Sequence, residues 1–133
     1  ELLIKSLNIE QSVKLNGLCA RQTLAATLKR SDAFVLASRS ETFGVAYIEA
    51  LSCGVPVIAT RCGGPEGFVR KGNGILVPVD DEEALLDAMK AMYRNKDRYN
   101  RKQIAAETAM MFSPDAVAAQ LEEVYQKAID KTK

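Results

Sequence analysis

The stretch Arg39–Pro65, RSETFGVAYIEALSCGVPVIATRCGGP, decides the fold. Its centre reads as a short helix over about 44–53. Thr42 is the predicted N-cap, since a threonine oxygen there accepts from first-turn N–H groups. Gly54 suits the left-handed position just past the last turn, and Pro56 cannot continue a helix. The run Val57-Ile58-Ala59-Thr60 follows as a strand, and Gly63-Gly64-Pro65 turns into a second short helix ending near Arg70. Strand, glycine-rich loop and helix in this order bring N–H groups and carboxylates to the carboxyl edge of a parallel sheet. Open α/β proteins bind their ligands at that edge.

Working outward, apolar runs and helical patterns alternate, as in βα repetition. Leu2 to Leu7 reads as the end of a helix, Val13-Lys14-Leu15-Asn16 as a short strand closed by Gly17, and 21–30 as a helix carrying Leu24 and Leu28. Ala33-Phe34-Val35-Leu36-Ala37 and Gly74-Ile75-Leu76-Val77-Pro78 are continuous apolar strands, the kind covered on both faces. Gly72-Asn73-Gly74 is predicted as a turn with positive φ. Asp80-x-x-Glu83 forms a modified capping box, opening a long helix whose apolar face is Leu85, Met89, Met92 and Tyr93. A further helix covers roughly 98–111, with Met110-Met111-Phe112 as helix core. Ser113-Pro114 then supplies an N-cap and a first-turn proline. Val117, Leu121, Val124, Tyr125 and Ala128 form the predicted buried stripe of the last helix, and Lys131-Thr132-Lys133 a fraying tail. There is no internal repeat, low-complexity segment or linker.

Composition narrows the classes. A chain of 133 residues with 47% hydrophobic and 26% charged side chains is that of one globular domain. Its 18 basic and 17 acidic groups nearly cancel, leaving no global field to recruit nucleic acid or an anionic membrane. No apolar run approaches the ~20 residues of a membrane span, and the first residues lack a signal-peptide pattern. Cys19, Cys53 and Cys62 form no C-x-x-C pair and suit a reducing, cytoplasmic setting, with Cys53 as a small buried hydrophobe. Histidine is absent. Chemistry must therefore rest on carboxylates, backbone amides and cations, without Ser-His or Cys-His nucleophiles.

Two carboxylates stand out. Glu41 lies in the loop before the helix and Glu49 within it, eight residues on. A carboxylate accepts well from vicinal hydroxyls of a ribose or hexose. Between the two, Phe43-Gly44-Val45-Ala46 offers the free N–H groups of a helix start, a natural seat for phosphate. Gly63, Gly64 and Glu66 are further candidates at the next strand end. The pattern suits a molecule with anionic and hydroxyl-rich parts, such as a sugar nucleotide. On spacing alone the alternative stands that both glutamates are solvated acids, and nothing fixes them as a hydrolytic acid–base pair. Neither a G-K-[ST] P-loop nor G-x-G-x-x-G occurs.

Taken together, FVLASRS, ETFGVAYIE, ALSCGVPVIAT, CGGPEGFV, GNGILVPVDDEEAL and the closing FSPDAVAAQLEEVY resemble the C-terminal, donor-binding domain of the family 4 glycosyltransferases, which have the GT-B fold. The resemblance spans nearly the whole chain and implies a Rossmann-like α/β domain, a parallel sheet with helices on both faces. It implies that Glu41 is the catalytic carboxylate, contacting donor-sugar hydroxyls, and that Glu49 binds the ribose. Thr42, Phe43, Gly44 and Val45 would hold the diphosphate and sugar, and Gly17, Leu18 and Arg21 would border the nucleobase. The implied reaction is retaining transfer of a hexosyl group from a nucleotide-diphospho-sugar to an acceptor hydroxyl, with no metal ion and no cofactor. The implied setting is polysaccharide biosynthesis.

The family's N-terminal acceptor domain, its first donor-domain strands and its phosphate-binding arginine and lysine have no counterpart in these residues. A fragment that is inactive alone, binds nucleotide weakly and self-associates through an exposed sheet edge is therefore expected, its acceptor saccharide or lipid-linked glycan being met by the other domain. Two other classes remain open: a Rossmann-like module that holds a nucleotide or sugar phosphate without transfer, and a partner-binding domain using its last amphipathic helix.

Overall fold

A computed structural model describes residues 1–131. Its core is a three-stranded parallel sheet in the order β1 (Phe34–Leu36), β2 (Val57–Thr60), β3 (Gly74–Val77). Phe34 stands opposite Val57, and Val57 opposite Gly74. All four residues of the central strand β2 are buried, which is why that run is uniformly apolar apart from Thr60.

Helices cover both faces of β2, as the sequence predicts for buried parallel strands, but β1 is only partly covered and its Val35 is exposed. Val57 and Ala59 point to the layer holding α3 (Val45–Ser52) and α5 (Arg101–Phe112), where they join Tyr47, Ala50, Leu51 and Ile104. Ile58, one residue out of phase, points the other way and packs with Val77, Ala88 and Met92 of α4 (Glu82–Arg94). The remaining helices are α1 (Leu2–Ser6), α2 (Arg21–Arg30) and α6 (Pro114–Asp130). Helix α2 packs on α3, and α6 on α5.

Several local expectations hold. Gly54 ends α3 with φ +74°, and a Cβ there would collide with the Arg101 carbonyl of α5. Ser113 caps α6, its hydroxyl accepting from the Ala116 N–H at 3.2 Å, with Pro114 in the first turn.

Others are corrected. Val13–Asn16 is exposed coil, because no described strand lies beside it to complete a ladder. Helix α3 begins at Val45 with Gly44 as its N-cap, so Thr42 lies too far upstream to cap it. Asp81, and not Asp80, caps α4 by accepting from the Ala84 N–H at 2.8 Å. Asp80 instead takes φ +57° and pairs with Arg39 at 2.8 Å. The buried face of α4 runs through Ala88 and Met92; Met89 and Tyr93 sit one residue, about 100°, further round and are exposed.

Helix α5 starts at Arg101, since Asn100 supplies the cap to the Gln103 N–H at 3.1 Å. Met110 is exposed, while Met111 and Phe112 are half-buried, as is Cys53. The 72–74 turn has no positive φ. Asn73 closes it by side chain, accepting from the Arg70 N–H at 2.8 Å and donating to the Phe68 carbonyl at 3.0 Å. Val117, Leu121, Val124, Tyr125 and Ala128 are exposed, because no second layer among the described residues covers that face of α6. The predicted fraying at Thr132 and Lys133 lies outside the described residues.

Candidate functional site at the carboxyl edge of the sheet

The loop that follows β1 carries Ser38 to Gly44 across the carboxyl edge of the sheet into α3. It is clamped along its length. The buried Tyr47 hydroxyl donates to the Leu36 carbonyl at 2.7 Å. The Thr60 hydroxyl, at the end of β2, donates to the Ser38 carbonyl and lies 3.4 Å from the Cys62 sulfur. Glu41 then forms a parallel bridge with Gly63: its N–H donates to the Cys62 carbonyl at 3.2 Å, and its carbonyl accepts from the Gly64 N–H at 3.0 Å.

Glu41 is therefore fixed by its backbone on both sides. Its side chain is held as well, since Ser38 Oγ donates to Glu41 Oε1 at 3.0 Å. Oε2 has no hydrogen-bond partner among the described residues. Burial pushes the Tyr47 hydroxyl above its ordinary pKa, outweighing the opposing hydrogen bonds and keeping it a neutral donor.

At the start of α3 the N–H groups of Phe43, Gly44, Val45 and Ala46 donate to no protein acceptor among the described residues. Open donors at a helix N-terminus favour an anion. Gly44 makes the geometry available. It has φ +91°, and a Cβ there would stand 2.7 Å from Tyr47 Cδ2. The Phe43 ring turns away from the helix start and packs edge-on against Phe112 at 5.8 Å and tilted against Phe68 at 6.1 Å, while Phe68 and Phe112 meet each other at 5.7 Å.

The Gly63–Glu66 turn supports this loop. The Gly63 N–H donates to its own Glu66 carboxylate at 3.0 Å, and the Gly64 N–H is taken by Glu41. Both amides are occupied within the protein.

Glu49 lies on the α3 face turned to α2, in an ion pair with Arg21 at 3.5 Å. The two line a mostly apolar cleft of about 210 Å³ with Leu24, Leu28, Ile48 and Cys53. Leu18 lines a separate, larger cleft with Lys14, Thr23 and Arg30, and Gly17 takes φ +63° in the exposed segment leading to it. Thr42 is exposed. The structure thus joins Arg21 to Glu49 and Glu41 to the helix start, and holds the two glutamates by different partners.

Sequence reasoning missed the supporting residues Thr60, Cys62 and Tyr47. A polar residue closing the otherwise apolar strand 57–60 was the available signal for Thr60. Among the described residues no cluster of His, Cys, Asp or Glu side chains could hold a metal ion, and no helix is long and apolar enough to cross a membrane.

A Rossmann-like sheet with open amides and a fixed carboxylate at its carboxyl edge has the architecture at which open α/β domains bind ligands, and comparison with known proteins gives its family. The chain belongs to the glycosyl transferases group 1, whose family model matches residues 1–109. It is 32% identical over 126 residues to the N-acetyl-alpha-D-glucosaminyl L-malate synthase of Bacillus anthracis, an alignment that takes in 92% of this chain and 32% of that protein. The fold is similar to sucrose-phosphate synthase from Thermosynechococcus elongatus, with TM-score 0.83 and 27% identity over 97% of this chain and 33% of the other. It is equally similar to Anabaena HepE in complex with UDP, at TM-score 0.83 and 25% identity over 95% of this chain and 35% of that one. HepE has also been solved with UDP-glucose. The resemblance read from the motifs is borne out in family and in GT-B fold. The chain spans about a third of the length of the curated relatives it matches.

Proposed function

We propose that this chain is the donor-binding part of a retaining glycosyltransferase, which in the intact protein transfers a hexosyl group from a nucleotide-diphospho-sugar to an acceptor hydroxyl. The observation that carries the reading is the juxtaposition at one sheet edge of four open helix-start amides and a Glu41 carboxylate with one unpaired oxygen. UDP and UDP-glucose in the complexes of the similar HepE support the ligand class.

In this reading the amides of Phe43, Gly44 and Val45 receive the diphosphate and stabilise the negative charge that develops on it as the anomeric bond breaks. Donors fixed in advance are the largest catalytic contribution in many enzymes. Glu41 accepts from hydroxyls of the donor sugar and orients its anomeric carbon, and the acceptor attacks from the face the diphosphate leaves. Glu49 accepts from the ribose hydroxyls, exchanging its exposed pairing with Arg21 for them; such surface ion pairs are weak and easily exchanged. Gly17, Leu18 and Arg21 border the base. The transfer needs no metal ion or cofactor. The acceptor, a saccharide or lipid-linked glycan, belongs to the parts of the protein beyond these residues. Self-association along the open edge of β1 and a cytoplasmic role in polysaccharide synthesis belong to the same proposal.

Calorimetric titration with UDP, GDP and ADP, repeated on Glu49→Ala, tests the reading. One nucleotide should bind saturably to the chain and lose at least about tenfold in affinity in the variant, the equivalent of one charge-assisted hydrogen bond. Binding that Glu49→Ala leaves unchanged would remove the ribose role.

A further inference from the structure

We propose that Ser38 is a positioning residue for Glu41: its hydroxyl selects the rotamer in which the carboxylate presents Oε2 to the donor sugar. The inference rests on the reading of Glu41 given above and adds the group that makes it specific.

The geometry carries the argument in three steps. First, Ser38 Oγ donates to Glu41 Oε1 at 3.0 Å, and no other protein donor reaches that carboxylate among the described residues. A glutamate side chain has three rotatable bonds, and fixing them costs rotamer entropy. One charge-assisted hydrogen bond is of the size needed to offset that cost.

Second, Ser38 is itself fixed from the sheet. The Thr60 hydroxyl, buried at the end of β2, donates to its carbonyl, and Tyr47 holds the Leu36 carbonyl two residues earlier. The donor is therefore stationary relative to β2. A mobile loop serine three residues from its acceptor would give a local turn with no reference to the rest of the fold.

Third, the Glu41 backbone is tied by its N–H to Cys62 and by its carbonyl to Gly64, which leaves the side-chain torsions as the freedom still to be set. With Oε1 already accepting from Ser38, Oε2 is the oxygen with no protein partner among the described residues and the more open to sugar hydroxyls. A carboxylate at a fixed place discriminates between hydroxyl configurations, whereas a freely rotating one adapts to many. Ser38 thereby acts on sugar recognition and leaves the nucleotide subsite at Glu49 untouched.

The test combines a ligand-free and a ligand-bound measurement on this chain, with UDP-glucose and UDP as probes. Three-bond couplings in isotope-labelled protein report the Glu41 rotamers. The wild type should show one dominant rotamer, Ser38→Ala an average, and Ser38→Thr, which keeps a hydroxyl, the wild-type value. In titrations, Ser38→Ala should lower affinity for UDP-glucose about tenfold with little change for UDP, and Ser38→Thr should restore it. Glu41→Gln is the reference. If it shifts the UDP-glucose to UDP affinity ratio and Ser38→Ala does not, the positioning role is overturned while the Glu41 reading stands. If Glu41→Gln leaves the ratio unchanged, the Glu41 reading is the one that fails. Identical Glu41 couplings in wild type and Ser38→Ala overturn the proposal without any ligand.

Discussion

Replacing Tyr47 by phenylalanine removes one hydroxyl from the centre of the molecule and tests whether the site loop is held from beneath. The side chain has no exposed surface, its ring packs edge-on against Phe34 at 5.8 Å, and its hydroxyl donates to the Leu36 carbonyl at 2.7 Å. Phenylalanine keeps the ring and loses only the bond, so no cavity large enough for rearrangement opens. The loss of a neutral hydrogen bond, with a partly buried carbonyl left short of a partner, costs about 1–2 kcal/mol. For a chain of this size that lowers the melting temperature by roughly 3–8 °C.

The same variant has a pH signature. Burial raises the folded-state pKa of Tyr47 above its ordinary value of 10.0, so the unfolded chain ionises first. The stabilisation is complete below about pH 10 and is lost as pH rises from there through the folded-state value. Tyr99 is raised by burial too and contributes in the same sense. Urea unfolding of wild type and Tyr47→Phe between pH 7 and 11 should show the variant less stable at pH 7 and with a shallower alkaline decline, the contribution of Tyr99 remaining. Equal stability at pH 7, or an unchanged alkaline limb, would refute the account of Tyr47 as a buried neutral donor.

Two other substitutions probe the backbone. Gly44→Ala must hold an L-residue at φ +91° and place a methyl 2.7 Å from the immobile Tyr47 ring. Positive φ and overpacking together cost about 2–4 kcal/mol, and a urea midpoint equal to wild type would contradict the structure here. Asp81→Ala removes the cap of α4 at a cost of about 1 kcal/mol. Asp80→Asn keeps a residue that tolerates left-handed backbone and loses only an exposed ion pair, so it should shift the thermal midpoint less. The reverse ranking would return the cap to Asp80.

Those two aspartates show what sequence pattern resolves and what it leaves. Asp-x-x-Glu and Asp81 two residues before Glu83 are equally acceptable helix starts on paper. The choice between them depends on Arg39, which lies 41 residues away and captures Asp80. The three strands were legible because uniform apolar runs have one use in a small α/β protein, although only β2 is buried throughout. Helix α3 and its Gly54 terminator were legible because the C-terminal end carries its own local chemistry, whereas at the other end Gly44 takes the cap position predicted for Thr42. The apolar positions of α4 and α6 misled, because periodicity identifies a hydrophobic stripe but not whether the described fold has a surface to cover it. Val13–Asn16 failed for a related reason: a strand is a relation between two segments, and no described strand lies beside this one. At the site, Glu41, Glu49 and the glycine-opened helix were visible as motifs. Ser38 was visible only as a letter within one, and Thr60 and Tyr47 as core residues, since their hydroxyls acquire meaning from carbonyls 22 and 11 residues away.

This division has a physical basis in how the site is built. The loop from Ser38 to Gly44 has little secondary structure of its own, yet Thr60, Cys62 and Gly64 each fix one point of it to β2 or the turn after β2, and Tyr47 of α3 holds Leu36 at the end of β1 just before it. The Phe43 ring packs against Phe68 and Phe112, and its N–H donates to no protein acceptor among the described residues. The ordering of these donors is completed when the core folds, so that in the proposed reading a nucleotide sugar meets amides already aligned and a carboxylate already aimed. That is the condition under which hydrogen bonds to a leaving diphosphate lower a barrier and do more than improve binding, because no reorganisation remains to be done when charge develops. It also explains why the chemistry-bearing residues sit beside a buried tyrosine and a phenylalanine cluster. In this chain the apolar core and the polar site are the same structure viewed from two sides of the loop, and a substitution that loosens the core beneath Gly44 should weaken nucleotide-sugar binding before it unfolds the protein.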